Sequence, residues 1–278
     1  MLYTIKKIGL MAVTATVMVV GGTAVSAAAG DSAYDLKKNE WPHAGPFGTF
    51  DKAALQRGLQ VYKEVCSSCH SLKMVAFRNL TDLGYSVDEV KAFAAEYEFP
   101  AGLDDEGEVK YRKGLPQDYF PSPFGSEEEA RESNNGALPP DFSLLGKSRE
   151  HLSMFTPWNS IYGEDYIVGI LTTYHEEAPH GVEMAEGMYF NEAFSGNQIA
   201  MAPPLFDELV EYADGTEATK EQMAKDVATF MYWAAEPKME ERKKMGLKVI
   251  IYMTLLTILL YFVNKRVWKR VKKGEDLV

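Results

Sequence analysis

Cysteine is nearly absent from this sequence, whose 278 residues include only Cys66 and Cys69. A fold held together by several disulfide bonds, as in many small exported domains, is therefore excluded. A structural zinc site at this pair would need further Cys or His residues at ligand spacing. The chemistry of these two thiols is the first question that the sequence raises.

Long apolar runs are also few, and the first lies at the start of the chain. Residues 8–20 are largely apolar, follow Lys6 and Lys7, and precede small residues up to Ala29. This layout is typical of a secretory signal peptide, so we expect residues 1–29 to be removed by cleavage. The alternative is an uncleaved anchor over residues 8–25, but that run is short for a bilayer span of about 20 residues.

The second apolar run, residues 246–263, lies near the end of the chain and contains one charged residue, Lys248. It predicts a transmembrane helix over residues 245–264. Basic residues in the following tail, residues 265–278, predict that this tail lies in the cytoplasm. Residues 30–240 then form an exported domain. The alternative is a buried core helix, although the end of a chain offers little protein to bury it.

The run Cys66-Ser67-Ser68-Cys69-His70 is the most informative feature of the predicted exported domain. In a C-x-x-C-H motif the two thiols can bond to the vinyl groups of one haem, and the adjacent histidine can coordinate the iron. Both thiols are then used, and no disulfide remains to be made. The alternatives are a redox dithiol or half of a zinc site. The motif predicts one covalently bound haem c.

A sixth iron ligand has to come from elsewhere in the chain. The other histidines lie in loop-like polar contexts, and they are His43, His151, His175 and His180. Among 13 methionines, Met223, Met231 and Met253 fit helix faces, where methionine is usually a packing residue. Met201 differs because two prolines soon follow it and fix an extended backbone. We regard Met201 as a candidate ligand, and the pattern alone leaves the choice open.

Positive charge is in deficit, since the formal net charge is −11. We therefore expect no nucleic-acid partner. The acidic residues cluster at Glu96, Glu98, Asp104, Asp105, Glu106 and Glu108, at residues 127–129, and at Glu176, Glu177, Glu183 and Glu186. These clusters are either a solvated surface or a field that steers a basic partner towards the chain, and charge alone does not separate the two.

Apolar periodicity predicts a pair of helices beside the haem motif. A stripe that begins at Leu55 leads into Cys66, and Gly58 within it would let a second helix approach closely. Thr219 and Gln222 have the pattern of a capping box at the start of that second helix. The first helix would deliver the motif, and the second would cross beside the ring.

The rest of the predicted domain is less regular. Residues 165–174 predict one further helix, whereas residues 97–145 are rich in Gly, Pro and Asn and predict long irregular loops. The predicted fold class is therefore mainly α, with long loops and one C-terminal transmembrane helix.

Five segments, in order, closely resemble the cytochrome c1 family of the quinol:cytochrome c oxidoreductase, or cytochrome bc1 complex. They are residues 57–71 around C-S-S-C-H, N-N-G-A-L-P-P-D at 134–141, G-E-D-Y at 163–166, M-A-P-P at 201–204 and W-A-A-E-P at 233–237. The resemblance covers nearly the whole predicted exported domain and the terminal helix. It implies a c-type cytochrome fold with one haem c.

The resemblance also implies a set of site residues. That set is Cys66, Cys69, His70, Met201, Asn134, Pro139, Pro140, Arg149 and Tyr166. Within it, His70 and Met201 would be the iron ligands, and Arg149 would pair with a haem propionate. A guanidinium suits that role because it can form two hydrogen bonds and stays charged.

Two departures from the family pattern affect these expectations. Residues 150–161 look like extra material compared with shorter mitochondrial forms, which bears on the propionate partner. Several bacterial relatives carry a further cysteine pair thought to brace the methionine loop, and this chain lacks it. Met201 must then be held by packing through Phe194, Ile199 and the prolines, or its loop is looser and the haem potential lower.

The function that the resemblance implies is electron transfer within that oxidoreductase, with no bond made or broken on this chain. An electron would arrive from a Rieske iron–sulfur subunit and leave to a soluble c-type cytochrome, while a cytochrome b subunit would carry the quinol chemistry. The chain would be anchored in a bacterial inner membrane with its haem domain on the periplasmic side.

Two other functions remain to be weighed. One is a free-standing anchored cytochrome that shuttles electrons to an oxidase. The other is a haem sensor whose sixth iron position stays open for a gas.

Overall fold

Two helices that cross at Gly58 organise the fold. In the computed structural model, which describes residues 36–150 and 162–274, α1 (Lys52–Val61) packs against α6 (Lys220–Ala235). A Cβ atom added to Gly58 would lie 2.2 Å from the carbonyl oxygen of Asp226. A larger residue would therefore force the two backbones apart, and the close approach predicted at Gly58 is confirmed.

Both helices start at a capping side chain. Oδ1 of Asp51 accepts the N–H of Ala53 at 2.9 Å, and Oγ1 of Thr219 accepts the N–H of Gln222 at 3.2 Å. These caps satisfy amide groups that have no partner inside the helix. The other half of the predicted capping box is wrong, because the Gln222 side chain donates to Asp226 at 3.0 Å.

The other helices of the domain are short and are joined by long loops. Those within the described residues are a π-helical turn (Tyr62–Cys66), a 3₁₀ helix (Phe77–Leu83), α2 (Val87–Ala94), α3 (Glu127–Glu132), α4 (Leu145–Ser148) and α5 (Gly163–Thr172). The helix predicted at residues 165–174 is α5, displaced by two residues. The predicted fold class, mainly α with long loops, is confirmed.

The loop prediction for residues 97–145 is wrong in part, because two strands and the helix α3 lie within that range. The described strands are β1 (Glu98–Leu103), β2 (Val109–Lys113), β3 (Tyr189–Phe190) and β4 (Gln198–Ile199), paired as β1 with β2 and β3 with β4, both antiparallel. In the first hairpin Asp104 holds the turn, since its Oδ1 accepts the N–H groups of Glu106 and Glu108. Both strands are almost wholly exposed, and Pro100 and Gly102 within β1 are residues typical of loops.

The core of the domain lies around α1, α6 and the 3₁₀ helix. Among its largest fully buried side chains are Trp233, Tyr62 and Phe77. Met223 and Met231 are 0% and 2% exposed, as their helix spacing predicts. Each large apolar side chain buried in this way stabilises the fold by roughly 1.5–3 kcal/mol, which fixes α6 against the helix that carries the haem motif.

The C-terminal helix α7 (Met239–Lys272) leaves this core. Residues Met239–Lys269 are long and apolar enough to cross a membrane, and none of their most apolar 18-residue window is buried. The alternative of a buried core helix is therefore wrong. The span predicted at residues 245–264 lies wholly within this longer helix.

A charged cluster holds the junction between α6 and α7. Glu236 directly follows α6, and its carboxylate bonds to Lys147 of α4 at 2.5 Å and to Arg242 of α7. Because α4 ends one residue before Arg149, the start of the long helix is tied to a predicted site residue.

Several predicted features lie outside the described residues. They are the signal peptide at residues 1–29, His151 with the rest of the segment 151–161, and the end of the tail at residues 275–278.

Candidate haem-binding site

A cavity of about 830 Å³ lies beside the C-S-S-C-H motif. All nine residues that the sequence proposes for the cofactor site line it, namely Cys66, Cys69, His70, Asn134, Pro139, Pro140, Arg149, Tyr166 and Met201. Apolar side chains of α5 and α6, such as Ile167, Ile170 and Val227, form much of the remaining wall. Its volume and mainly apolar lining are those of a site for a large flat cofactor.

The motif enters the cavity at the end of α1. The π-helical turn widens the last turn of that helix, with the N–H of Ser67 donating to the carbonyl of Tyr62 at 2.8 Å. Cys66 and Cys69 are both free thiols. Burial raises the pKa of the Cys66 thiol to about 12, and Cys69 adds to this shift. A redox dithiol needs a lowered thiol pKa, so this environment disfavours that alternative.

His70 is oriented as a metal ligand. Its Nδ1 lies 2.9 Å from the carbonyl oxygen of Pro140, which can only accept, so Nδ1 carries the proton. The lone pair of Nε2 is then the one left for a metal. Burial lowers the pKa of His70, which keeps the ring neutral as coordination requires.

Two residues that the sequence reasoning gave no role fix this histidine. Asp141 accepts from the hydroxyl of Ser71 at 2.7 Å and from the N–H of Lys73 at 3.0 Å. Phe142 stacks on the imidazole with ring centroids 4.2 Å apart. Together they hold residues 139–142 against residues 70–73, the part of the chain that ends the motif and follows it. Asp141 stands in the quoted N-N-G-A-L-P-P-D run, but Ser71 and Lys73 lie about 70 residues before it in the sequence.

Met201 lies in the wall of the cavity and, like Phe194, packs against a small apolar cluster that includes Ile199. Tyr174 donates its hydroxyl proton to the carbonyl of Met201 at 3.0 Å. Two other methionines line the same cavity. Of these, Met231 is packed into the core on α6, and Met188 is exposed near β3.

Arg149 and Tyr166 form one edge of the cavity. The guanidinium carbon of Arg149 lies 5.4 Å from the centre of the Tyr166 ring, within the range of a cation–π contact. Within the described part of the chain Arg149 has no carboxylate within salt-bridge distance, so its charge is available to an anionic group. This position suits a propionate partner.

The prediction made from the sequence is wrong for one histidine. His43, expected in a polar loop, is 1% exposed and lies 2.9 Å from the buried Glu164. His175 and His180 are exposed, as expected. His43 does not line the cavity and is not a candidate ligand.

The residues present therefore fit a haem c. Two thiols at motif spacing, a neutral imidazole whose Nε2 lone pair is available, a thioether and an arginine border one apolar cavity. If a thioether and an imidazole both bound one haem iron, no position would remain open for a gas.

Comparisons with known proteins agree on one family. The family model described as Cytochrome C1 family matches residues 41–271. Cytochrome c1 from Rhodospirillum rubrum is 43% identical over 284 residues, covering 97% of this chain and 99% of that protein. Cytochrome c1, heme protein, mitochondrial, from Saccharomyces cerevisiae is 47% identical over 232 residues, covering 84% and 72%.

A longer relative matches as well. Cytochrome b/c1 from Bradyrhizobium diazoefficiens is 47% identical over 241 residues, which cover 83% of this chain and 35% of that protein. The chain thus spans about a third of this relative.

Proposed function

Because the chain belongs to the cytochrome c1 family, we propose that it is the membrane-anchored c-type haem subunit of a quinol:cytochrome c oxidoreductase. It would pass single electrons from a Rieske iron–sulfur subunit to a soluble c-type cytochrome. The observation that carries this proposal is the convergence of all nine proposed site residues on one cavity.

Four of the residues at the cavity would hold the cofactor through bonds of two kinds. Cys66 and Cys69 would form the thioether bonds, and His70 and Met201 would be the two axial ligands. When bound, the haem would supply one-electron chemistry at its iron. A methionine opposite a histidine favours the reduced state, which suits an acceptor late in an electron-transfer chain.

The anchor would set where this exchange takes place. In this proposal residues 1–29 direct export, residues 30–240 lie in the periplasm, and residues 245–264 cross the inner membrane of a bacterium. The Glu236 cluster supports a fixed junction, because it joins α4, the end of α6 and the start of α7. Packed against a cytochrome b subunit, α7 would hold the haem domain at a constant height above the membrane.

Acidic side chains near the cavity would serve the soluble acceptor. Glu183 and Glu186 lie in a segment that is hydrogen-bonded to Gln198, a residue of the cavity wall. The Gln198 side chain donates to the carbonyl of Glu183 at 3.1 Å and accepts the N–H of Ala185 at 3.0 Å. A negative field beside the site would steer a basic cytochrome into a fast and weak encounter.

Isolation in mild detergent tests the proposal. Membranes from a host that attaches haem c and expresses the natural operon should yield this chain together with a b-type cytochrome and an iron–sulfur protein. Quinol-dependent reduction of a soluble cytochrome c should follow the same fractions. Recovery of the chain alone, active towards an oxidase, would instead support the free-standing shuttle.

A second measurement separates the haem sensor. The native ferrous protein should bind carbon monoxide slowly, because a bound thioether has to leave first. Rapid and complete binding would favour an open sixth position and count against the electron carrier.

A further inference from the structure

The loop that presents Met201 is held without a disulfide. β3 and β4 pair through Phe190 with Gln198, and Met201 follows β4 by two residues. The only cysteines in the sequence are the two of the haem motif. If both are bonded to haem, whatever keeps Met201 in place has to be non-covalent.

Asn191 is a buried link between this loop and the end of α5. It is 0% exposed, and its Nδ2 donates to the carbonyl of Ile170 at 2.8 Å. That carbonyl belongs to the last turn of α5, where no amide of the helix reaches it. Oδ1 of Asn191 accepts the N–H groups of Ala193 and Phe194, both at 3.1 Å. One amide therefore satisfies the helix end and the loop backbone together.

Thr173 strengthens the same link. Its hydroxyl donates to the carbonyl of Gly169 at 2.8 Å, and the same oxygen accepts the N–H of Ala193 at 3.3 Å. Its carbonyl accepts the N–H of Glu192 at 3.2 Å. The neighbouring hydroxyl of Thr172 donates in the same way to the carbonyl of Val168 at 2.7 Å, inside α5. The two adjacent threonines thus form a matched pair, of which only one reaches the loop.

Tyr174 completes the connection at the methionine itself. Its backbone forms an isolated antiparallel bridge with Asn191. Its hydroxyl donates to the Met201 carbonyl across 27 residues of sequence, at 3.0 Å. The backbone of Met201 is thereby tied to the chain that leaves α5.

We propose that Asn191, Thr173 and Tyr174 are positioning residues that hold the Met201 loop against α5 and keep its thioether in the cavity. This inference rests on the proposed role of Met201 as the axial ligand. A thioether is neutral and a weak ligand, so the fraction of time it stays bound depends on how firmly its loop is held. Carbon monoxide can bind only the fraction in which it has left.

Carbon monoxide binding to the full-length, haem-loaded chain in detergent measures that fraction. Tyr174→Phe removes one hydroxyl and keeps the ring. Losing this hydrogen bond, about 1 kcal/mol, corresponds to roughly a fivefold larger open population and a fivefold faster binding rate. Thr173→Val should change the rate in the same direction. Thr172→Val, the matched control, should bind at the wild-type rate.

The midpoint potential gives a readout that a general loss of stability would not move. It should fall in the order wild type, Tyr174→Phe, Met201→Leu, because a loosened thioether favours the reduced state less. Gly58→Ala, which acts on the core, should leave the potential unchanged.

Met201→Leu distinguishes a failure of the proposed axial ligand from a failure of the proposed positioning residues. If this variant binds carbon monoxide no faster than wild type, Met201 is not the ligand and the proposed axial pair fails. If it binds fast while Tyr174→Phe and Thr173→Val match Thr172→Val, the ligand stands and the positioning role is overturned.

Discussion

Nε2 of His43 lies 2.9 Å from Oε1 of Glu164, and both side chains are almost completely buried. The imidazole packs between Phe50 and Tyr232, whose ring centres are 4.8 and 4.9 Å from its own. Among the described residues, Nδ1 of His43 has no hydrogen-bond partner. An ionisable pair is thus enclosed by aromatic rings between the N-terminal segment, α5 and α6.

Burial moves the two pKa values of this pair in opposite directions. It lowers the pKa of His43 to about 4, an effect to which Lys243 adds. It raises the pKa of Glu164 to about 9, with further contributions from Asp165 and Glu150. Both groups are therefore neutral at pH 7, and the hydrogen bond between them joins Oε2 of Glu164 to Nε2 of His43 at 3.1 Å.

Glu164 should make the stability of the domain depend on alkaline pH. Above pH 6.5 the unfolded state has lost the protons of both groups, whereas the folded state keeps the Glu164 proton up to about pH 9. The free energy of unfolding should therefore fall as pH rises from 6.5 to 9, by up to about 1.4 kcal/mol per pH unit. Glu164→Gln should flatten this slope, measured by thermal melting of the detergent-solubilised chain.

Below pH 6.5 the two groups should oppose each other. His43 makes stability rise with pH between about 4 and 6.5, while Glu164 makes it fall, so the wild-type curve should be nearly flat there. Glu192→Gln is the control, because Glu192 pairs with His175 at the surface. A wild-type slope above pH 6.5 that survives in Glu164→Gln would show that another group titrates.

Gly58→Ala should destabilise the domain. The new Cβ would lie 2.2 Å from the carbonyl oxygen of Asp226 and 2.7 Å from Cβ of Phe230, so α1 and α6 have to separate. Overpacking of this kind costs roughly 1–3 kcal/mol, and the better helix propensity of alanine returns up to about 1 kcal/mol. The melting temperature should fall by several degrees.

Gly246→Ala provides the comparison for this substitution. Gly246 is also helical, but a Cβ added there meets nothing within 4 Å. Its melting temperature should equal or slightly exceed that of wild type. If both variants melted at the same temperature, the crossing of α1 and α6 would accommodate a methyl group more easily than the distances at Gly58 imply.

The features that the sequence predicts correctly are those whose signal is local. The C-S-S-C-H motif, whose signal is spacing within five residues, borders the cavity, and the long apolar run predicts the helix α7 directly. Close helix packing at Gly58 can also be predicted, because a glycine on an apolar helix stripe indicates close packing whatever the partner is.

The missed features depend on residues far apart in sequence. His43 is buried only because Glu164 and Tyr232, more than 100 residues away, close over it. Asn191 looks like an ordinary loop residue until the end of α5 meets it. The hairpin of β1 and β2 is missed for another reason, since Pro100 and Gly102 in β1 favour a loop and both strands are almost wholly exposed.

Removing the motif thiols should abolish covalent attachment of the cofactor. Cys66→Ala and Cys69→Ala each leave one possible thioether bond, so haem staining of a denaturing gel should weaken. The double variant should lose the stain entirely. Ser68→Ala lies between the two thiols and is exposed, so it should stain like wild type. Full staining of the double variant would mean that the haem is held by another bond.

The acidic residues beside the cavity should control how fast electrons reach a basic soluble cytochrome. Glu183 and Glu186 belong to the segment held by Gln198 of the cavity wall. Replacing both with glutamine should slow second-order electron transfer roughly two- to tenfold at low salt, and should flatten its dependence on ionic strength.

The hairpin of β1 and β2 offers a control with the same change in net charge. Asp105 and Glu106 are exposed at its turn, and neither lines the cavity. Asp105→Asn with Glu106→Gln also removes two negative charges. If net charge alone governs the encounter, both double variants should slow the stopped-flow rate equally. If the acceptor docks beside the cavity, the Glu183 and Glu186 variant should slow it far more, because steering depends on where the field is strongest.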